Sequence, residues 1–181
     1  MAAAALALAS VPRTAQPAQI DFLRVVQEDR GYQIALDASI DAPRQRVFAV
    51  LSDFAHLERI NPEIVASSFA ASSSGGGRVR TVIHSCVLFF CRDLVQVEDV
   101  KGRATETITA RIVPGSGDFS GGSSLWRLSG EGATTHVHYE ATRKLSFWVP
   151  PLIARMAARH AIGERFKVSL QELERLARRS P

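Results

Sequence analysis

Hydrophobic and polar residues alternate along much of the chain, which is the pattern of β-strands with one buried face. The first clear alternation runs from Tyr32 to Ile40. Further apolar or alternating runs occupy residues 63–71, 79–91, 92–100, 105–113, 123–129 and 134–147. Turn-forming residues separate several of these runs, at 72–77, at Lys101-Gly102, at 114–117 and at 130–132. This spacing predicts an antiparallel meander rather than strands that alternate with helices.

Helical spacing occurs after the first strand and at the end of the chain. Asp41 or Ala42 is placed to cap a short helix with Pro43 in its first turn, and a second short helix is predicted over 54–60. A long helix is predicted from Leu152 to about Ala177, and it would be close to 40 Å long at about 1.5 Å per residue. Its apolar stripe consists of Met156, Gly163, Phe166, Leu170, Leu173 and Ala177.

This order of elements predicts an α+β fold. A curved antiparallel sheet would wrap round the long C-terminal helix, with the two short helices after the first strand. Composition agrees with one globular domain, because 46% of the 181 residues are hydrophobic and 22% are charged. The two cysteines are too few for a disulfide-dense scaffold or a four-cysteine zinc site.

The net charge of +4 is concentrated at the C-terminal end. From Leu152 to Pro181 there are seven basic residues and three acidic ones, so this segment carries the whole excess. We expect the solvated face of an amphipathic helix, and contact with an anionic membrane or a protein partner is the alternative. No nucleic-acid partner is expected, and the sequence leaves the oligomeric state open.

The first 19 residues differ in composition from the rest of the chain. Residues 1–10 are almost entirely Ala and Leu, and Ala7-Leu8-Ala9 fits the small-x-small pattern of a signal-peptidase site. No Lys or Arg precedes this run, unlike in an ordinary secretory signal. Residues 1–19 are therefore interpreted as a signal-peptide-like or disordered segment before a domain at 20–181. A periplasmic or secreted location is expected, with a cytoplasmic one as the alternative.

Several segments carry a resemblance to a known family. They are Ile40–Phe54, Leu57–Pro62, Asp118–Gly122, Leu125–Leu128 and Phe147–Leu152. Through them the chain resembles the START-like (SRPBCC) superfamily with its helix-grip fold. Within that superfamily it is similar to the polyketide cyclase/dehydrase and lipid transport family, whose members include coenzyme-Q-binding proteins. The likeness covers about Tyr32 to Ala177.

The resemblance implies a deep apolar cavity between the sheet and the long helix. The predicted function is to bind a hydrophobic small molecule or lipid, and transport of that molecule is one use of such binding. No cofactor, metal or catalytic residue is expected. The first alternative is an aromatase/cyclase or dehydratase in which Tyr139, Arg143 or His160 acts as the acid or base. The second is a membrane- or protein-interaction module that uses the basic helix.

Candidate ligand-binding residues follow from strand alternation and helix spacing. Gly163 on the helix would leave room for a ligand. The loop at Asp118-Phe119 and the segment Trp148–Pro151 are expected to gate the cavity, and Phe119 is either an apolar side chain on a mobile loop or a packed anchor. The candidates are Ile108, Ala110, Phe119, Trp126, Tyr139, Arg143, Trp148, Met156 and His160.

Arg143 is the most informative polar candidate, because an isolated buried charge is costly. Its partner would be an internal Asp or Glu, or a ligand carboxylate or phosphate. Alternatively, its position near the end of a strand lets it reach water.

Two groups of residues raise the question of a metal. His136, His138 and Glu140 alternate on the outer face of the last strand, where polar residues need no special explanation. Cys86 and Cys91 fall on opposite faces of a straight strand, but they oppose each other if the chain turns at 87–90. A turn there would allow a disulfide, and the alternatives are two free buried thiols or, with His84, a metal or catalytic group.

Overall fold

The computed structural model describes residues 17–28, 30–73, 75–87, 90–150 and 162–179. Within them, eight strands form one sheet with the order β1-β2-β8-β7-β6-β5-β4-β3. The strands are β1 (Gln19–Glu28), β2 (Gly31–Ile40), β3 (Ile64–Ala71), β4 (Gly77–Val87), β5 (Phe90–Arg103), β6 (Thr107–Ile112), β7 (Phe119–Ser129) and β8 (Thr135–Leu145). Every neighbouring pair is antiparallel, as the turn spacing predicts.

The described part of the chain also contains two α-helices, α1 (Arg44–Leu51) and α2 (Ile162–Arg179). The two helices contact each other, and α2 also contacts β1. Leu170, Leu173 and Ala177 of the predicted stripe are buried, which confirms the face that α2 turns toward the sheet. No helix in the described part of the chain has the length and apolar character needed to cross a membrane. The sheet and α2 form the predicted helix-grip arrangement.

Strand β1 was not predicted as a separate strand, and its irregularity explains why. The pairing of β1 with β2 shifts between Ile20 and Phe22, so apolar residues do not alternate cleanly along it. As an edge strand it also leaves Phe22 and Val26 exposed. The short helices therefore follow the second strand of the sheet, not the first.

The segment after β2 is less helical than predicted. Pro43 occupies the N-cap of α1, so neither Asp41 nor Ala42 caps it. The second predicted helix is only a single 3-10 turn at Leu57–Arg59. Asp53 accepts hydrogen bonds from the side chains of His56 and Arg59 beside this turn.

The predicted turn at Lys101-Gly102 is wrong, because both residues lie inside β5. A Cβ atom on Gly102 would lie 3.0 Å from Cζ of Phe48, so this glycine allows α1 to approach the sheet closely. The chain turns instead after Arg103, where Ala104 and Thr105 both have positive φ.

The segment around the cysteines forms a hairpin, not a single straight strand. Strands β4 and β5 are paired along their length, and Cys86 lies directly opposite Cys91. The two residues form a disulfide, which confirms one of the alternatives from the sequence and excludes free thiols in this structure.

Candidate functional site

The face of the sheet that is turned toward α2, here called the inner face, contains most of the predicted ligand-binding residues. Strand pairing places Ile108 beside Trp126, and Trp126 beside Tyr139. Ile108 and Tyr139 belong to the buried core, and Ala110 and Trp126 pack against it partly buried. Arg143 follows on the same face of β8 and is also buried. The alternation of the sequence therefore predicted the orientation of these five residues.

Three aromatic side chains form a stack between the sheet and α2. The ring centroids of Trp126 and Tyr139 are 4.2 Å apart, and those of Tyr139 and Phe166 are 5.6 Å apart. Tyr139 is buried, whereas Trp126 and Phe166 remain partly exposed. The stack thus presents apolar surface that the fold itself does not fully cover.

A polar group lies next to this stack, here called the inner polar cluster: Thr81, Gln96, Glu98 and Arg143. Arg143 donates from Nη2 to Glu98 Oε1 over 2.9 Å and from Nε to Gln96 Oε1 over 3.3 Å. Gln96 donates in turn to the second oxygen of Glu98 over 2.8 Å. The charges of Arg143 and Glu98 are therefore paired within the fold, and the expectation that Arg143 reaches water is wrong.

The guanidinium of Arg143 is also bonded to backbone carbonyl groups of β7 and β8. Gly122 is the cross-strand partner of Arg143, and a Cβ atom on it would lie 2.2 Å from the carbonyl oxygen of Thr142, so this close backbone approach requires glycine. Arg143 Nη1 donates to the carbonyl oxygens of Ser123 over 3.0 Å and Thr142 over 2.9 Å. Burial alone would lower the pKa of Arg143, but the neighbouring Tyr139, Glu98 and Tyr32 outweigh this and raise it. The guanidinium is accordingly held as a cation.

Thr81 contributes to the cluster a hydroxyl group that is able to form a further hydrogen bond. It is the cross-strand partner of Gln96, so it faces the same side of the sheet as the cluster. Its side chain is 3% exposed, and Oγ1 has no hydrogen-bond partner among the residues that the structure describes. A buried hydroxyl without a partner is destabilising by about 1–3 kcal/mol. The inner polar cluster can therefore accept a further polar group.

Tyr139 and Tyr32 are protonated at neutral pH. Burial raises the pKa of Tyr139 to about 12, although the nearby charge of Arg143 opposes the shift. Burial likewise raises the pKa of Tyr32, against the charges of Arg143 and Arg165. Both phenols are therefore hydrogen-bond donors and not bases under ordinary conditions.

A second ion pair joins α2 to the end of the sheet. Arg165 Nε lies 2.6 Å from Glu63 Oε1, and Arg165 Nη2 donates to the carbonyl oxygen of Cys86 over 3.1 Å. Burial raises the pKa of Glu63, although the charge and hydrogen bond of Arg165 oppose the shift. This pair was not predicted, because Glu63 and Arg165 are far apart in sequence and share no motif.

The remaining predicted ligand-binding residues lie elsewhere. Phe119 is the first residue of β7 and only 3% exposed. The preceding Asp118 accepts hydrogen bonds from the backbone of Val95 and from Arg92, so this segment is a packed anchor, which corrects the expectation of a mobile gate. Trp148 is 67% exposed and does not form part of the inner face. Met156 and His160 lie outside the described residues.

Gly163 of α2 lies close to Leu23 of β1. A Cβ atom on it would lie 3.6 Å from Cδ2 of Leu23, which is an ordinary van der Waals contact. A methyl group therefore fits at this position, and the room that Gly163 would leave for a ligand stays a prediction.

The histidines of β8 lie on the outer face, as predicted. His138 Nδ1 is 2.6 Å from Asp37 Oδ1, and His138 Nε2 is 3.4 Å from Glu140 Oε1. The Asp37 hydrogen bond raises the pKa of His138, although burial opposes the shift. His136 contacts the hydroxyl of Ser39. These side chains are accounted for by bonds to β2 and within β8.

A groove of about 990 Å³ also lies on the outer face. Most of its lining side chains are polar or charged, including Gln33, Thr109, Ser123 and Glu140. Because a site for an apolar molecule is lined mainly by apolar side chains, this open groove fits a hydrophobic ligand less well than the inner face does.

The basic residues of α2 are partly neutralised. Arg175 pairs with Glu172, and Arg178 pairs with Asp41 and Glu174, in addition to the pair of Arg165 with Glu63. The pairs with Glu63 and Asp41 tie α2 to the rest of the fold, the other two lie within α2, and all of them reduce its net positive field.

Comparison with known proteins identifies the arrangement. A family model described as polyketide cyclase/dehydrase and lipid transport matches residues 33–178. No curated protein matches the chain.

Solved structures show the same fold. A STAR-related lipid transfer protein from Xanthomonas axonopodis has a TM-score of 0.65 at 17% identity, covering 94% of this chain and 98% of its own. A START superfamily protein from Mycobacterium smegmatis has a TM-score of 0.62 at 18% identity, with 82% and 99% covered. An aromatase/cyclase from a Streptomyces species has a TM-score of 0.58 at 18% identity, with 79% and 93% covered. At these identities the likeness concerns the fold alone.

Proposed function

The chain belongs to the polyketide cyclase/dehydrase and lipid transport family, and on that premise we propose that its inner face binds an uncharged hydrophobic small molecule or lipid. The apolar body of the ligand lies against Trp126 and Phe166, and its polar end lies at the inner polar cluster. Burial of the apolar body supplies most of the affinity, at about 25 cal/mol per Å².

The observation that carries this proposal is the juxtaposition of the partly exposed aromatic stack with the buried polar cluster. A fully packed core would cover Trp126 and would not retain an unpartnered hydroxyl on Thr81. Ligand sites of this class are mostly apolar and contain a few polar groups that fix orientation. The inner face has both components next to each other.

Charge balance supports an uncharged polar end. Glu98 already neutralises Arg143, so a ligand carboxylate or phosphate would bring an unpaired charge into a buried site. A hydroxyl, carbonyl or amide can bond to Thr81 without this penalty. A coenzyme-Q-like quinone is one member of the class, since its carbonyl oxygens accept hydrogen bonds and its tail is apolar.

The protonation state of the buried tyrosines favours binding without covalent chemistry over catalysis. With its raised pKa, Tyr139 donates a hydrogen bond but does not act as a base near neutral pH. A cyclase that depends on Tyr139 as its base is therefore the weaker alternative.

A periplasmic or secreted location is also proposed, and the Cys86–Cys91 disulfide supports it. Disulfides persist in oxidising compartments and are rare in the cytosol. Fractionation of cells that produce the full chain, with the mass of the recovered protein, tests both export and cleavage of the N-terminal segment.

The proposal is tested by filling the inner face and measuring ligand retention. Ala110→Phe places a ring on the inner face of β6, and Thr109→Phe places the same ring on its outer face. Native mass spectrometry and solvent extraction of the purified proteins measure the bound molecule. We expect a bound apolar molecule in the unchanged chain and in Thr109→Phe, and at least tenfold lower occupancy in Ala110→Phe.

The same variants distinguish a cavity from a packed core. If the inner face were close-packed, Ala110→Phe would be overpacked and would lose about 1–3 kcal/mol of stability. A marked loss of stability together with an unchanged chain that carries no ligand would contradict the proposal.

A further inference from the structure

Four side chains on the outer face of the β4–β5 hairpin form a cluster that the inner site does not use: His84, Cys86, Cys91 and Asp93. The ligand atoms of His84, Cys86 and Cys91 all lie within 4.8 Å of one another. His84 and Cys91 are exposed and Cys86 is half-buried, so solvent reaches the group. The inner polar cluster lies on the opposite face, because Thr81 and Gln96 differ in strand parity from Cys86 and Cys91.

The distance between the histidine nitrogen and one cysteine sulfur matches that of a tetrahedral zinc site, and breaking the disulfide frees the two sulfurs to separate. Zinc bonds of about 2.0–2.1 Å to histidine nitrogen and about 2.3 Å to cysteine sulfur place the two ligand atoms about 3.6 Å apart. His84 Nε2 lies 3.4 Å from Cys86 Sγ. Cys91 is the direct cross-strand neighbour of Cys86, with the Cα atoms 4.0 Å apart. Two thiolates at these positions can approach one ion from the same side as the imidazole.

Asp93 orients the histidine for this role. Asp93 Oδ1 lies 2.6 Å from His84 Nδ1, and the two residues are cross-strand partners. A neutral imidazole that donates its Nδ1 proton to a carboxylate has its lone pair on Nε2, which is the atom next to Cys86. Metal-binding histidines almost always have such a carboxylate or carbonyl partner on the other nitrogen.

We propose that reduction of the Cys86–Cys91 disulfide converts this cluster into a binding site for Zn²⁺ or a similar thiophilic divalent ion. A dithiol reductant breaks the S–S bond and is itself oxidised to a disulfide, which leaves two thiols on the hairpin. The ion then displaces one proton from each thiol and is bound by both sulfurs and His84 Nε2. A water molecule completes the fourth position, as in three-ligand zinc sites.

The hairpin has contacts that hold the site together after reduction. The pairing of β4 with β5 runs from Gly77 opposite Val100 to Val87 opposite Phe90, so the strands stay in register without the disulfide. The carbonyl oxygen of Cys86 is also bonded to Arg165 of α2. Reduction therefore changes the sulfur chemistry while the backbone positions of the ligands are retained.

This inference is independent of the proposed ligand on the inner face, and Co²⁺ is a suitable probe for it. The full chain is titrated with Co²⁺ before and after reduction by a phosphine, and thiolate-to-cobalt charge transfer is followed by absorbance. We expect one equivalent of Co²⁺ bound by the reduced chain, displacement by Zn²⁺, and no charge-transfer band in the oxidised chain.

Two variants separate a built site from binding by thiols alone. His84→Ala removes a ligand, and Asp93→Asn removes the orienting carboxylate and should weaken binding by about 10–100-fold. Asp99→Asn is the matched control, because Asp99 lies on the same face of β5 and bonds to Arg78 instead. Circular dichroism verifies that each reduced protein is folded.

Three results with a folded chain would overturn the proposal, and a fourth concerns the fold itself. They are a folded reduced chain that binds no Co²⁺, binding that His84→Ala and Asp93→Asn leave unchanged, and equal binding by the oxidised chain. Loss of the fold on reduction, with cobalt bound only by the unfolded chain, would overturn it as well.

Discussion

Arg143 on β8 and Glu98 on β5 form a buried ion pair at 2.9 Å although two strands, β7 and β6, lie between them in the sheet. Neighbouring strands are about 4.8 Å apart, so the pair spans three such intervals. It can do so because both side chains extend along the inner face of the sheet, where Gln96 also bonds to both of them. The ion pair therefore connects two non-adjacent parts of the site.

The first prediction concerns the coupling of this pair. Arg143→Met or Glu98→Leu alone should lower the free energy of unfolding by about 3–5 kcal/mol, because each leaves a buried charge unpaired. The double variant should be much less destabilised than the sum of the two, as measured by urea denaturation. The exposed pair of Arg78 and Asp99 serves as a control and should show far weaker coupling. Additive effects of Arg143 and Glu98 would show that the pair does not act as a unit.

The second prediction concerns the free hydroxyl of Thr81. Thr81→Val keeps the shape of the side chain and removes a buried polar atom that has no partner. The ligand-free chain should become more stable by about 1–3 kcal/mol. Binding of an uncharged ligand with a polar end should weaken by about 5–10-fold, which corresponds to one hydrogen bond.

The comparison variant for Thr81 is Thr109→Val on the outer face. Thr109 is exposed and its hydroxyl donates to the carbonyl oxygen of Lys101. We expect no change in binding from this variant. Equal binding by Thr81→Val and the unchanged chain would remove Thr81 from the proposed site.

The third prediction is a pH dependence on the outer face. The folded pKa of His138 is raised above its ordinary value of 6.5, chiefly by its hydrogen bond to Asp37. The stabilisation from this bond is therefore fully present below pH 6.5 and is lost as the pH rises through the folded pKa. The stability difference between the unchanged chain and Asp37→Asn should shrink over that interval.

Nuclear magnetic resonance titration of the His138 imidazole gives an independent measurement. Its pKa should fall toward 6.5 in Asp37→Asn, because the largest cause of the shift has been removed. An unchanged titration in that variant would refute the assigned role of Asp37.

The fourth prediction concerns Gly163 of α2. Gly163→Ala should stabilise the fold by about 0.5–1 kcal/mol, because glycine within a helix is less favourable than alanine. The added methyl group makes an ordinary contact with Leu23. Thermal denaturation should show the gain, and ligand occupancy should stay the same. A fall in occupancy would mean that the ligand extends to Gly163.

Much of the fold was predictable because strand alternation is a local signal. Val137, Tyr139 and Ala141 face inward in the structure as their spacing predicts, and so do Leu170 and Leu173 on α2. Alternation failed where the backbone is irregular. The bulge between Ile20 and Phe22 obscured the alternation of β1. Gly102 was predicted in a turn because glycine is typical of turns, but it lies inside β5, where its small size allows the close contact with Phe48.

The site was predictable only in part, because its polar contacts join distant segments. The sequence identified Arg143 as a buried cation that needs an acidic partner. The chain contains many Asp and Glu residues, and no sequence pattern indicates that Glu98 is the one that pairs with it. The free hydroxyl of Thr81 depends on which neighbouring groups bond to each other, and local sequence does not encode that. The hairpin disulfide was one of several alternatives until the pairing of β4 with β5 decided between them.

The central claim is that an apolar ligand occupies the inner face beside Trp126, and fluorescence quenching tests it most directly. The chain has two tryptophans, so Trp148→Phe leaves Trp126 as the only reporter, and Trp126→Phe leaves only the exposed Trp148. Each variant is titrated with a long-chain alcohol that carries bromine, a contact quencher, on its chain. We predict saturable quenching of Trp126 and little quenching of Trp148. Equal quenching of both, or none at Trp126, would contradict the proposed site.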